Sequence, residues 1–346
     1  MMLQTKRLIS LLLLVCLIGC KNDEPTTDLL VIEGNTMGTT FVVKMVKNTG
    51  QMPDLNSEEL ETAIDEILLQ VNQQMSTYLP DSEISQFNRS EGSDWFAISS
   101  DFARVLTAAL EIAKKSNGAF DPTVGPLVNL WGFGPEHLAA LIPSDEEIRK
   151  KKALTGYEKI AVRAEPPAVR KTLPGVYCDL SAIAKGFGVD RVAEYLETSG
   201  ITNYMVEIGG EVRVKGRGPT GQMWRIGVES PDDPSGLQMV LHLKDNALAT
   251  SGDYFNYFEK DGVRYSHTID PRTGKPIMHK LASVTVLHKS CMLADGFATA
   301  INVLGPVDGF ELAVQQELLV YLIVRGEHGF EEKMTPAFEN FIFHKN

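Results

Sequence analysis

The chain has 346 residues, 33 Lys and Arg against 45 Asp and Glu, and a formal net charge of −12. With 43% apolar and 23% charged residues, it has the balance of a folded globular protein, which excludes a long disordered or collagen-like chain. The acid excess argues against a nucleic-acid partner, which calls for a basic face. It leaves room for an anionic ligand, because a metal ion and a few local cations can reverse the field inside one cleft.

The first segment reads as an address rather than a fold. Lys6 and Arg7 precede a short apolar run, Leu8 to Gly19, in the pattern of a secretory signal and too short to cross a bilayer comfortably. The run ends in Leu17-Ile18-Gly19-Cys20, which looks like a bacterial lipobox. That resemblance implies cleavage before Cys20 and lipid on its sulfur, an uncleaved anchor being the alternative. The expected organisation is a signal peptide over 1–19, a polar lipidated tether over 20–28 and the functional body over 29–346. No later segment approaches a membrane span. Cys178 and Cys291 are then the cysteines left for the body. They read as two buried thiols, with a disulfide as the alternative in an oxidising compartment. There is no CxxC and no His/Cys cluster, so a zinc site or redox dithiol is disfavoured.

Residues 29–47 read as two strands around a turn at Met37-Gly38. Leu60, Ile64, Ile67, Leu68, Val71 and Met75 make one apolar helix face over 57–75, capped by Asn56 or Ser57. The pattern repeats over 101–116 and stops at Gly118. Ser144 and Glu147 suggest a capping box on a further short helix. A helix is expected over 183–198, followed by strands at 204–208, 212–215, 224–229, 240–243, 254–258, 263–268 and 283–287. Asp261-Gly262 is a hairpin signal. Residues 290–304 look helical and 318–324 strand-like. Helices mixed with antiparallel hairpins indicate an α+β, or mixed α/β, body.

Several stretches carry residues suited to chemistry. On a helix, Asp295 and Thr299 lie four apart on one face, a hard-oxygen pair that suits Mg²⁺ with room left for water and phosphate. Asp179-Leu180-Ser181-Ala182 enters a helix whose N-terminus favours an anion. Lys185 sits in its first turn, where a cation is unfavourable unless an anion is present. Gly186 and Gly188 weaken the helix but permit close approach. His267, in Tyr265-Ser266-His267-Thr268-Ile269-Asp270-Pro271-Arg272-Thr273-Gly274, ends a strand before a Pro/Gly turn and is placed to act as a base or to hold phosphate, a structural histidine being the alternative. Phe120-Asp121-Pro122-Thr123-Val124-Gly125-Pro126-Leu127 and Trp131-Gly132-Phe133-Gly134 supply aromatics for a flat-ring pocket. Glycines at 34, 38, 209 and 210 fall between strands, where backbone can approach a ligand.

Taken in order, these stretches resemble the ApbE-type FAD:protein FMN transferases over roughly residues 34–305. The resemblance is carried by Thr36-Met37-Gly38-Thr39, Met75-Ser76-Thr77-Tyr78, the Phe120–Leu127 and Asp179–Gly186 stretches, His267–Gly274, and Asp295-Gly296-Phe297-Ala298-Thr299-Ala300. Gly296-Phe297 departs from the small or aliphatic residues expected there and touches packing rather than ligands. The resemblance implies a T-fold-like body of antiparallel sheet and packed helices. It implies FAD in a cleft, with Mg²⁺ on the pyrophosphate held by the Ala182 carbonyl, Asp295 and Thr299. Flavin-nucleotide contacts carry over to Met37, Ser76, Thr77, Tyr78, Asp121, Asp179, Lys185, His267 and Ile269. His267, Asp295 and Lys185 would be the catalytic residues, Lys185 stabilising phosphate charge and His267 favoured over Asp295 as the base. FMN would pass from FAD to a Thr or Ser hydroxyl of a target protein, releasing AMP. The implied partners are flavin-acceptor subunits of membrane redox complexes, of the Na⁺-pumping NADH:quinone oxidoreductase or RNF type. The implied place is the periplasmic side of a bacterial membrane. The family favours the inner membrane, whereas Lys21 does not resemble its usual retention signal. The alternatives are an Mg²⁺-dependent FAD pyrophosphatase giving FMN and AMP, and a non-enzymatic flavin-binding lipoprotein.

Overall fold

A two-residue hairpin turn of type I′ needs positive φ at both residues. In the computed structural model, Met37 (φ 50°) and Gly38 (φ 75°) supply it, joining β1 (Asp28–Thr36) to β2 (Thr39–Lys47). The structure describes residues 28–47, 56–134, 142–231, 233, 236–252, 257–260 and 262–344. The expected signal segment, Cys20 and the tether up to residue 27 lie outside the described residues, as do Tyr254 and Asp261. The first strand takes in Asp28, so the folded part begins one residue ahead of the expected boundary.

The hairpin starts an eight-stranded sheet completed by β3 (Tyr204–Ile208), β4 (Glu211–Lys215), β5 (Asn246–Gly252), β6 (Leu281–His288), β7 (Leu319–Arg325) and β8 (Phe330–Met334). Every neighbouring pair is antiparallel, and spatial order follows chain order. Alternating side chains feed two cores. On one face Ala249, Val284, Val286, Val320 and Leu322 meet the helices. On the other, Val212, Val214, Leu248, Leu287, Tyr321 and Ile323 are covered by the Trp224–Glu229/Leu237–Leu243 hairpin and by Phe338 of the last helix.

The helical face carries α1 (Ser57–Met75), α2 (Ser100–Lys115), α3 (Ser181–Thr198) and α4 (Cys291–Gln315). Asn56 caps α1 by accepting from the Glu58 N–H, Ser99 caps α2, and Ser144 with Glu147 makes the expected capping box. α3 begins two residues ahead of the expected 183. α4 runs past the expected end at 304, across a break at Gly305 (φ 82°, ψ −173°) followed by Pro306. Among the described residues it is the one helix long and apolar enough to cross a membrane, which revises the expectation that no segment after the signal has that composition. Most of its apolar side chains lie inside the core with α2, α3 and the sheet, while Val307 and Val314 are exposed. Cys178 and Cys291 are free, buried thiols.

Candidate functional site

The crossing of α3 and α4 sets the site. A Cβ on Gly186 would stand 2.8 Å from Asp295 Cβ and closer still to the Cys291 carbonyl, so the missing side chain lets the helices touch. Buried Asp190 then fixes the register. It accepts the Cys291 and Met292 N–H groups at 3.0 Å each and the Ser290 hydroxyl at 2.6 Å, and it pairs with Arg213 at 2.8 Å. An acid at the start of α4 satisfies its orphan donors. One turn on, Asp295 Oδ2 accepts the Gly186 N–H at 3.0 Å. The regular helical partner of that N–H is the Ala182 carbonyl, so Asp295 competes with it for the proton. Thr299 follows on the same face, its hydroxyl 3.4 Å from that of Ser251 on β5.

Glu211 on β4 is a functional residue that the sequence reading passed over. Its carboxylate lies 2.5 Å from Lys185 Nζ and its side chain is 3% exposed. Burial and the charge of Asp295 push its carboxyl up to about 8, against the pull of Lys185. Burial also raises Asp295, with Lys185 and the Gly186 N–H opposing. Burial drags on the Lys185 ammonium, but Asp295 and Glu211 outweigh it and hold the lysine protonated above its ordinary value. Two buried acids around one ammonium hold a proton more tightly than usual, and a further cation would favour their charged forms.

The opposite wall is a set of rigid loops. Asp121 is buried and already engaged: it accepts from the Thr123 N–H and hydroxyl and from the Tyr157 N–H. Asp179 accepts from the Ser181 N–H at 2.9 Å and from its hydroxyl, while its own N–H bonds the Pro122 carbonyl at 2.7 Å. Burial and Asp179 raise the Tyr78 phenol. Thr77 Oγ1 is sealed from solvent without a hydrogen-bond partner.

These walls enclose a cleft of about 840 Å³. It brings together Thr77, Tyr78, Asp121, Asp179, Ala182, Lys185, His267, Ile269, Asp295 and Thr299 of the sequence-expected set. Met37 and Ser76 stand apart from its lining. Met37 is packed between two cores, its Cε 2.9 Å from where a Gly188 Cβ would be. Ser76 shapes the turn after α1, its hydroxyl accepting the Tyr78 N–H. Phe120 and Phe133 give the cleft an aromatic end, and behind it Phe133 stacks on Phe258 (5.5 Å), Phe258 on Tyr265 (5.0 Å) and Tyr265 on Trp131 (5.8 Å). His267 meets the edge of Phe133 at 6.4 Å.

The residues fit a hard divalent ion. A carboxylate, a hydroxyl one turn on and the Ala182 carbonyl, whose helical N–H partner Asp295 also engages, offer oxygen donors only, the set Mg²⁺ takes while keeping water and phosphate in its shell. Asp295 Oδ1 has no hydrogen-bond partner among the described residues. The fit to a dinucleotide is carried by the aromatic end, by orphaned Thr77 and by Lys185 near the start of α3.

The ApbE family profile matches residues 37–322. A protein of Vibrio cholerae named FAD:protein FMN transferase is 47% identical over 336 residues, covering 97% of this chain and 98% of that one. The Escherichia coli K12 protein of the same name is 38% identical over 319 residues, covering 91% and 90%. Among solved structures, the flavin transferase ApbE of Vibrio cholerae superposes with a TM-score of 0.84 at 46% identity, covering 90% of this chain and 99% of that one. The apo flavinyl transferase ApbE of Pseudomonas stutzeri does so with 0.84 at 38% identity, covering 92% and 98%.

Proposed function

The chain belongs to the ApbE family, and from that premise we propose that it is an FAD:protein FMN transferase, moving FMN from FAD to a Thr or Ser hydroxyl of an acceptor protein with Mg²⁺ and releasing AMP. The observation that carries the reading is the convergence of Asp295, Thr299, Ala182 and Lys185, from two crossing helices, on one cleft with an aromatic end.

When bound, Mg²⁺ supplies Lewis-acid neutralisation of the diphosphate, and Asp295, Thr299 and the Ala182 carbonyl would hold it. Lys185 adds a fixed positive charge for the phosphates, and Glu211 aims its ammonium. Such charge placed before reaction needs no reorganisation during it. His267 takes the proton of the acceptor hydroxyl at a ring nitrogen, the better base because Asp295 would be engaged in holding Mg²⁺. The aromatic end receives a flat ring, and the buried wall around Asp295 limits the water that would compete with the acceptor.

The reading extends to the chain's place in the cell. Residues 1–19 are removed as a signal, Cys20 is lipidated, and 29–346 forms the transferase body on the periplasmic side, at the inner membrane. Its acceptors are flavin-carrying subunits of membrane redox complexes of the Na⁺-pumping NADH:quinone oxidoreductase or RNF type. Incubation with FAD, Mg²⁺ and a candidate acceptor tests the reaction. Covalently yellow acceptor is the expected result; free FMN with unmodified acceptor means hydrolysis, and intact FAD means binding alone.

A further inference from the structure

Asp295, Thr299 and Asn302 occupy successive turns on one face of α4, and all three line the cleft. Asn302 is 2% exposed. Its side-chain Oδ1 is sealed from solvent with no hydrogen-bond partner, and Nδ2 has none among the described residues. A buried amide left unpaired carries a desolvation cost, and such a group in a folded protein calls for an explanation.

The backbone holds this amide in place. Pro306 has no N–H to give the carbonyl four residues back, and His279 Nε2 fills that gap, 2.7 Å from the Asn302 carbonyl oxygen. His279 Nδ1 accepts the Leu281 N–H at 3.3 Å. Gly305 receives the ring, a Cβ there standing 2.7 Å from His279 Cδ2. Asn302 is therefore fixed at the end of the first half of α4, about 4.5 Å along the axis from Thr299.

Its neighbours indicate what it meets. The oxygen row of Asp295 and Thr299 precedes it along the same helix face, and apolar Ala119, Ile269 and Val303 also line the cleft. A ligand crossing from a diphosphate to a flat ring presents sugar or polyol there. A carboxamide with both functions unpaired wants a partner that donates and accepts at once. A hydroxyl does both, whereas an ionised phosphate only accepts.

We propose that Asn302 is a substrate-binding residue whose side-chain amide takes a sugar or polyol hydroxyl of the dinucleotide. The inference rests on the FAD reading of the same cleft. Two parts of FAD carry such hydroxyls, the ribityl chain and the adenosine ribose, and separate probes distinguish them.

The test titrates wild type and Asn302→Leu with FAD, FMN and ADP in the presence of Mg²⁺, checking each protein by thermal melting. FAD is expected to bind Asn302→Leu about tenfold more weakly. Either FMN or ADP shares that loss, and the one that does names the source. Wild type is also titrated with ADP lacking a ribose hydroxyl and with FMN lacking ribityl hydroxyls, which needs no variant to fold. One of these is expected to bind about tenfold more weakly than its parent. Equal affinities throughout, with FAD still bound by wild type, overturn this inference alone. Wild type that does not bind FAD overturns the transferase reading together with it.

Discussion

Replacing Gly186 by Ala tests the helix crossing on which the site depends. The added methyl would sit 2.8 Å from Asp295 Cβ and nearer to the Cys291 carbonyl. Backbone and a Cβ cannot swing aside as the end of a long side chain can, so α3 and α4 must part. Overpacking of this kind costs about 1–3 kcal/mol. Parting them also stretches the Gly186 N–H bond to the Asp295 carboxylate, 3.0 Å long, and a bond to a charged group contributes about 1.5–3 kcal/mol. The better helix propensity of Ala returns only about 1 kcal/mol. The balance is a destabilisation of about 3 kcal/mol, a fall of about 4 °C in Tm for a chain of this size. The face proposed to hold Mg²⁺ moves with α4, so FMN transfer should fall by more than the melt alone accounts for at 25 °C. Thermal melting followed by circular dichroism, beside a transfer assay, reads both. A variant that melts at or above wild type and transfers normally refutes the close crossing.

Asp190→Ala strips two N–H groups of α4 of their acceptor and Arg213 of its buried partner. Glu197 still holds Arg213 at 2.9 Å, which puts the loss near the lower end of the range for a broken buried pair, about 3 kcal/mol; an unchanged urea midpoint would contradict it. Burial and Asp295 raise the Glu211 carboxyl from 4.5 to about 8, so unfolding releases a proton between those values. Metal-free protein should therefore lose stability as pH rises from about 4.5 to 8, and Glu211→Gln should flatten that fall; denaturation midpoints at pH 5 and pH 8 with chelator decide, and identical pH profiles for the two proteins refute it. Burial holds the Cys178 and Cys291 thiols well above their ordinary value, so native protein at pH 8 should leave both unalkylated and unfolded protein should expose both; fast alkylation of either in peptide mapping of the native protein counts against the buried-thiol description.

The hairpin, α1 and α2 were legible because each has one apolar face at its own period, and β6 and β7 because they are short runs rich in Val, Leu and Ile. β5 was not. Asn246–Gly252 is buried along its first four residues, so no alternation marks it, and Ala, Ser, Asn and Gly are poor strand formers. Yet it lies between β4 and β6 in the sheet and brings Ser251 to Thr299. Glu211 was hidden behind Gly209-Gly210, whose turn drew attention to backbone rather than to the acid that follows. Only the pairing of β3 with β4 places that acid against Lys185. Asn302 looked like one polar residue in an apolar helix; the break at Gly305-Pro306, which ends its segment, carried no chemical meaning until His279 was seen to fill the missing bond. Met37 and Ser76 show the converse. Their motifs mark the site's surroundings, but packing turns Met37 into the cores and Ser76 into a turn.

The claim on which the account rests is that α3 and α4 hold a divalent ion and a diphosphate between Lys185 and Asp295 with Thr299. Intact-mass analysis of an acceptor subunit, co-expressed with wild type or with Asp295→Ala, tests it most directly. The account predicts an FMN-sized mass gain with wild type and none with the variant. An equal gain from both would contradict it.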